Sequence, residues 1–544
     1  MRALMVLLGL YLVVTLAVPL GIMLAKSLQG PGGAFVGAAN YIQYFSTPAL
    51  FQSVGNSLWV SLVSTVITVP LAFVYAYALT RSCMPWRGFF KSVALAPILV
   101  PSLLPGIGLV YLFGNQGLLK ELLFGHRIYG PIGIVMAEVF FTLPHALLIM
   151  VTALSLADAR LYEAAIALRA TRPRMFWSVT VPGARYGLIS ATFVVFTMVI
   201  TDFGAPKVVG GQYNVLATDV YKQVIGQQNF GMGAVVSVIL LVPAAFAFAI
   251  DHVARRRQVA LLSARAVPYA PRPHRGFDLI MLGCSAVIGS YLVAILAVSQ
   301  YAALVKFFPY DLSFTLAHYD FDRKGGGGWL SYGNSIEMAL WTAGAGTAII
   351  FVGAYLVEKG RGFAAARAVL QFLAMMPMAV PGLVLGLAYI FFFNDPGNPL
   401  RGLYRTMAIL VINTIVHFYT VAHLTALTAL KQIDPEFETV SASLKQPVYR
   451  TFARVTVPVS LPTILDISIY LFVNAMTTVS AVVFLYGPRT ELASVSVLNM
   501  DDTGEIASAA AMAMMIFYTN VGARTLHAGL AHWLERRTQG WRRS

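Results

Sequence analysis

The chain has 544 residues, of which 58% are hydrophobic and only 11% charged, with a mean hydropathy of +0.73. That balance excludes an ordinary soluble domain. A formal net charge of +15 raises nucleic acid as a partner, but the cations sit in alternate loops between apolar blocks, which is a topology signal, so no nucleic-acid partner is expected.

In chain order, about twelve apolar blocks are long enough to cross the hydrocarbon core as helices, which takes roughly 20 residues each. They fall near 4–26, 53–80, 91–113, 131–155, 185–203, 232–252, 276–300, 335–358, 367–393, 403–427, 463–485 and 506–530. Such repetition sets Met1–Met23 apart from a lone secretory signal. The expected fold is an all-α polytopic membrane protein. Lys and Arg gather at "ARRRQ" (Ala254–Gln258), around Arg169 and Arg450, and in the tail "ERRTQGWRRS". The positive-inside rule then puts both termini in the cytoplasm. Two cysteines, Cys83 and Cys284, imply no disulfide framework.

The chain repeats itself once. "VTVP" at Val179–Pro182 returns at Val455–Pro458, and the same spacing aligns Asp158 with Asp434, Thr201 with Thr477 and Gly211 with Gly487. Upstream, with small length changes, "GNS" at Gly55–Ser57 aligns with Gly333–Ser335, and Pro97, Pro101 and Gly106 with Pro377, Pro381 and Gly386. Six spans return a chain to its starting side, so the halves are expected to be parallel six-helix repeats. The expected division is 1–260, a cytoplasmic linker 261–275, a second transmembrane domain 276–530 and a basic cytoplasmic tail 531–544.

Between the fourth and fifth spans of each half lies a polar stretch, 156–184 and 428–460. In the first, Asp158 is placed as an N-cap and Glu163 sits in the first turn of a short amphipathic helix. One such loop reads equally as an interfacial helix held on lipid by arginines. Two at matching positions in a duplicated body favour a shared mechanical role.

The pattern Glu163, Ala164, Ala165, Leu168, Phe176 and Pro182 resembles the EAA loop of permease subunits in binding-protein-dependent ATP-binding-cassette importers. In the second copy Leu444, Phe452 and Pro458 match, with Thr439 at the acidic position and Glu438 one residue before it. The resemblance implies coupling helices that seat in two copies of a cytoplasmic ATPase, and a periplasmic binding protein that delivers solute. The bacterial inner membrane is the implied location and its lipid the surroundings. Where that loop has glycine after the leucine, this chain has Arg169 and Lys445. Glycine there commonly serves a turn at positive φ, where other residues incur a steric cost of order 1 kcal/mol, so the turn geometry is an open question.

No G-x-x-x-x-G-K-[ST] occurs, so no cofactor is expected in this chain, with ATP and magnesium bound by the partner ATPase. No acid, base and nucleophile constellation assembles either, and an enzyme is not expected. "GGGG" at Gly325–Gly328 reads as a flexible outer loop, and His145 and His423 as helix–helix hydrogen-bonding residues.

For the solute pathway, Asp202 and its repeat partner Thr478 are candidates, as are Pro101 and Pro381. Two readings stand for Asp202: a cap or a partner of Lys207, or a group in the pathway or its gate. Two also stand for the prolines: passive kinks, or broken helices around a central cavity. As whole segments, "TDFGAPKVVGGQYNVLATDVYKQVIGQQNFGMGAVVS" and "TTVSAVVFLYGPRTELASVSVLNMDDTGEIASAAAMAMMIFYTN" look most like the 2-aminoethylphosphonate permease group, with ferric iron and thiamine permeases as alternatives. Lys207, Lys222 and Arg489 would suit an anionic or zwitterionic solute. An ion-coupled secondary transporter shares the hydropathy and the parallel repeat, but has no need of EAA-like loops.

Overall fold

The computed structural model describes residues 2–30, 32–260, 267, 269–360, 363–434 and 436–538. Much of the linker (261–266 and 268) and the end of the basic tail (539–544) lie outside the described residues.

Apolar periodicity becomes helix throughout. Among the described residues, eight helices are long and apolar enough to cross a membrane: Ala3–Ser27, Pro48–Arg81, Pro131–Ser155, Arg172–Thr201, Phe230–Ala254, Arg275–Leu304, Gly328–Lys359 and Ile506–Leu534. Four bent pairs bring the total to twelve when each pair is counted as one span. The third span is the pair Arg87–Leu99 and Leu104–Phe113, bent by 107°, and the ninth is Ala364–Ala379 and Gly382–Phe393, bent by 113°. Both breaks fall at the proline-rich stretches, with Val100 and Val380 in extended backbone just before Pro101 and Pro381. These are more than kinks. The arm Leu104–Phe113 has ten residues and rises about 15 Å, half the hydrocarbon thickness, so neither pair crosses as a straight rod. In the eleventh span, Val448–Val459 and Leu461–Thr477 meet at 76°, where Pro462 removes the donor that would reach Pro458.

The compact units do not end at the linker. One is Tyr41–His318; the other joins Met1–Asn40 to Tyr319–Ser544. Each unit therefore holds five spans of its own half and the first span of the other. Packing explains the exchange. In the unit Tyr41–His318, the seventh span lays Ile295 and Ser299 against Gly108, where a Cβ would come within 2.8 Å of both side chains, and Tyr291 Oη donates to Met136 O at 2.5 Å. In the other unit, Met5 and Leu8 of the first span join a buried cluster with Leu356 and Leu370, and Leu8 closes on Gly353.

Outside the spans, Val305–Phe307 pairs antiparallel with Asp311–Phe314 as a short hairpin after the seventh span. The glycine run that follows, expected to be flexible, is packed. Gly326, Gly327 and Gly328 have φ of 119°, 77° and 64°, and a Cβ would meet Ser496 O at 3.1 Å and the Glu491 carboxylate at 2.8 Å. Glycine is needed there for the backbone and for the close approach.

Candidate functional site: the two polar loops

The first loop begins with a cap. Asp158 accepts from Arg160 N at 3.0 Å and from the Arg160 guanidinium at 2.7 Å. Those hydrogen bonds hold its carboxyl down at about 2. The helix Ala159–Ala167 follows and closes with a doubled turn: Arg169 N donates to Ile166 O at 2.9 Å and Ala170 N to Ala165 O at 2.9 Å. That is the Schellman pattern, which needs a left-handed residue at the turn. Arg169 takes that position at φ 53°. In the second loop, the helix Glu436–Ser443 ends with Gln446 N donating to Ser441 O at 3.0 Å and Lys445 at φ 51°. The open question closes here: both cations occupy the backbone conformation that glycine would have eased.

Beyond the turn, each loop enters its next span through a wide π turn, Phe176–Thr180 and Phe452–Thr456. Val181 N reaches back to Phe176 O, and Val457 N to Phe452 O. The shift by one residue falls just before Pro182 and Pro458, which have no N–H to continue the normal ladder. The two phenylalanines face their own bundles. Phe176 meets Phe73 and Tyr77 at 5.9 and 5.7 Å between ring centroids, and Phe452 meets Phe351 and Tyr355 at 6.1 and 4.7 Å.

The outward face differs in character. Glu163, Ala164, Arg169, Thr439, Lys445, Pro182 and Pro458 are exposed, and Ala165 is buried. Leu168 stands 83% exposed and Leu444 65% exposed, each at the tip of its helix. Large aliphatic groups held out on a tight turn mark a surface suited to an apolar partner. On the second loop, Phe437, Val440 and Leu444 line a groove of about 480 Å³ bordered by Glu436, Arg450 and Arg454.

Glu438 does not stand in for Glu163. Its side chain turns inward to Lys359 Nζ at 3.2 Å, and Lys359 also donates to Ile433 O at 3.2 Å. By the repeat, Glu438 corresponds to Tyr162, which is buried and pairs its hydroxyl with Thr180 Oγ1 at 2.9 Å. The partner of Tyr162 is Arg81, whose guanidinium lies 5.4 Å from that ring and donates to Leu154 O at 2.6 Å. Arg81 and Lys359 are functional candidates that sequence reasoning passed over. The signal was there, since the spacing that aligns Gly55–Ser57 with Gly333–Ser335 also aligns Arg81 with Lys359.

The pathway candidates are not brought together with the loops. Asp202 accepts from Ala205 N at 2.9 Å, at the entry to the helix Gly204–Val209. Lys207 lies over the Tyr221 ring at 5.3 Å. Thr478 is buried and its carbonyl accepts from Ser494 Oγ at 2.6 Å. Pro101 and Pro381 are buried beside the breaks. At those breaks, a Cβ on Gly204 would fall 2.9 Å from Ser102 C, and one on Gly382 would fall 3.0 Å from Ala481 N and 2.5 Å from Ser480 Oγ. His423 Nε2 lies 3.0 Å from Gln371 Oε1, and no group of three metal-ligating side chains occurs among the described residues.

The model of the family described as "Binding-protein-dependent transport system inner membrane component" matches residues 69–259 and 345–538, once in each half. The chain belongs to that family. This permease is 27% identical over 494 residues to a ferric transport system permease protein of Actinobacillus pleuropneumoniae, covering 86% of this chain and 71% of that one. It is 30% identical over 199 residues to a thiamine transport system permease protein of Brucella abortus, covering 35% and 36%. Among solved structures, a bacterial ABC transporter that imports the acidic polysaccharide alginate aligns over 45% of this chain and 92% of that chain, at 16% identity and a TM-score of 0.39. By its family and its curated relatives, the permease is a multi-pass transport subunit of the inner membrane and not an enzyme, and its family implies an ATPase and a binding protein as partners.

Proposed function

We propose that the permease forms the membrane conduit of an importer for 2-aminoethylphosphonate, driven by two copies of a cytoplasmic ATPase that seat on the two polar loops. The observation that carries the coupling role is the pair of left-handed turns at Arg169 and Lys445, which hold Leu168 and Leu444 out into solvent. An exposed leucine at a strained turn is stabilised by an apolar groove on a partner. Glu163 and Thr439 stand exposed on the same helices. ATP closure of the motors would draw the loops together and turn the bundles about the conduit; both termini then lie in the cytoplasm.

The substrate reading rests on the likeness of the segments after the fifth and eleventh spans to the 2-aminoethylphosphonate group. Exposed Arg489, and Lys222 held at 2.5 Å from Asn214 Oδ1, are cations suited to a phosphonate. A second reading, ferric iron, is favoured by the alignment with a ferric permease along most of the chain.

Co-purification tests the coupling: the double substitution Leu168→Asp and Leu444→Asp is expected to abolish ATPase recruitment while leaving the chain in the membrane. Retention of the ATPase at wild-type levels would refute the docking role. For the substrate, the assembled complex in proteoliposomes is supplied with its binding protein and either labelled 2-aminoethylphosphonate or ferric ion. ATP-dependent uptake of ferric ion alone overturns the phosphonate reading. Uptake on an ion gradient with no ATPase present overturns both.

A further inference from the structure

The loop helices are fastened to their bundles by different chemistry, and in the unit Tyr41–His318 the fastening includes the segment that joins the two halves. Val267 O accepts from Ala159 N at 2.9 Å, and Val267 N donates to Asp158 Oδ1 at 3.4 Å. A backbone group of the linker thereby satisfies one of the orphan donors at the start of the first loop helix, where a side-chain cap ordinarily works alone.

Two residues on, the Tyr269 ring lies 4.7 Å from the Tyr162 ring. Arg81, at the end of the second span and only 6% exposed, sits 4.5 Å from the Tyr269 centroid and 5.4 Å from that of Tyr162. Its Nη2 is taken by Leu154 O, while its Nε has no hydrogen-bond partner. A buried guanidinium with an unsatisfied N–H depends on the two ring faces for compensation. Further along, Cys83 Sγ donates to Pro271 O at 3.4 Å, and Cys83 N and His274 N both donate to Asp278 at 2.7 and 2.9 Å. Among the described linker residues, Val267 thus lies at the base of the loop helix, Tyr269 and Pro271 by the end of the second span, and His274 at the foot of the seventh. In the second loop the ion pair of Lys359 with Glu438 serves in place of the ring stack.

We infer that the linker is a strap for the first coupling loop: Val267 and Tyr269, through Arg81, are positioning residues that make the helix Ala159–Ala167 move as one body with the end of the second span and the foot of the seventh. Joining the halves in one chain then does more than tether them. It gives the first loop a brace that has no counterpart at the second among the described residues, and makes the two loops unequal levers. The inference rests on the coupling role proposed above, but the fastening itself is readable without it.

The test uses the full chain in nanodiscs, with Tyr269→Ala, Tyr269→Phe and, as a comparison in the other loop, Glu438→Gln. Amide hydrogen exchange is followed over 159–167 and 436–443. Tyr269→Ala is expected to raise exchange over 159–167 about tenfold, the size a desolvated cation–π contact supports, and to leave 436–443 unchanged. Tyr269→Phe, which keeps the ring, is expected to restore protection. Glu438→Gln is expected to show the reverse regional pattern. With the ATPase added, Tyr269→Ala should keep ATPase binding yet lower ATP turnover. Unchanged protection of 159–167 in Tyr269→Ala, or failure of Tyr269→Phe to rescue, would overturn the strap. If instead exchange responds as expected but the wild-type chain binds no ATPase, the strap stands and the coupling reading fails.

Discussion

The two compact units carry out the same tasks with interchanged parts. At the base of each polar loop a cation from the end of the second or eighth span reaches a carbonyl near the end of the fourth or tenth span: Arg81 to Leu154 O, Lys359 to Ile433 O. Above it, one unit answers the cation with a ring, Tyr162, and the other with a carboxylate, Glu438. At the broken helices, one unit puts serine on the break and glycine on the facing elbow (Ser102, Gly204), while the other reverses them (Gly382, Ser480). The carboxyl pair Glu138 and Asp202 has Val416 and Thr478 at the matching places, without a second pair. Duplicated bundles therefore preserve a contact and its geometry more closely than the residues that make it.

The largest break in this comparison should come from the elbows. Gly204→Ala and Gly382→Ala each drive a Cβ against backbone or a serine, and each should cost about 1–3 kcal/mol, the usual size for overpacking a tight core. Thermal unfolding in detergent would measure it. The double exchange Ser102→Gly with Gly204→Ser copies the arrangement of the other unit and should recover most of the loss. If it does no better than Gly204→Ser alone, the two elbows are not interchangeable.

Next comes the ion pair. Lys359→Met leaves Glu438 facing a buried site without its cation and should cost roughly 1–3 kcal/mol, whereas removing both charges with Lys359→Met and Glu438→Leu should cost less. Additive losses would show that the two side chains act separately.

The turns should respond in the opposite direction. Arg169→Gly and Lys445→Gly relieve positive φ and should each stabilise by roughly 1 kcal/mol. The expected sign is the same in both units. A destabilised Lys445→Gly beside a stabilised Arg169→Gly would mean that the second cation has a contact worth more than its strain.

Smallest is the cap. Because Asp158 is held at about 2, below the ordinary carboxylate value near 3.9, it binds protons more weakly folded than unfolded. Its contribution is complete above the ordinary value and is lost as pH falls toward 2. Protection over 159–167, with the intrinsic pH dependence of amide exchange divided out, should be flat from neutral pH to about 4 and fall below it; Asp158→Asn should remove that fall.

How much of this was legible depended on the range of the interactions. The twelve apolar blocks, the duplication and the two loops all followed from hydropathy and local repetition, and the resemblance in the loops led to a family that the comparisons bear out. Asp158 as a cap followed from its place before a helix. The rest required partners distant in sequence. Nothing local to Tyr291 announces Met136, so the exchange of first spans was invisible. Gly325–Gly328 reads as slack only until Ser496 and Glu491 are beside it. Glu438 stands one residue before the expected acidic position, and its inward turn depends on Lys359, far away in the sequence. A bend above 100° at Pro101 exceeds what a proline alone dictates, because the close approach of Gly204 to Ser102 also shapes it.

The exchange of first spans sets the order in which synthesis can complete each bundle. Residues Ala3–Ser27 leave the ribosome before any of their eventual neighbours and must wait in lipid until the chain beyond Tyr319 has been made. The bundle begun at Tyr41 stays unfinished until Arg275–Leu304 has been inserted. Neither half is a self-sufficient product of translation, and a message cut between them would yield two fragments that each carry one orphan helix and lack another.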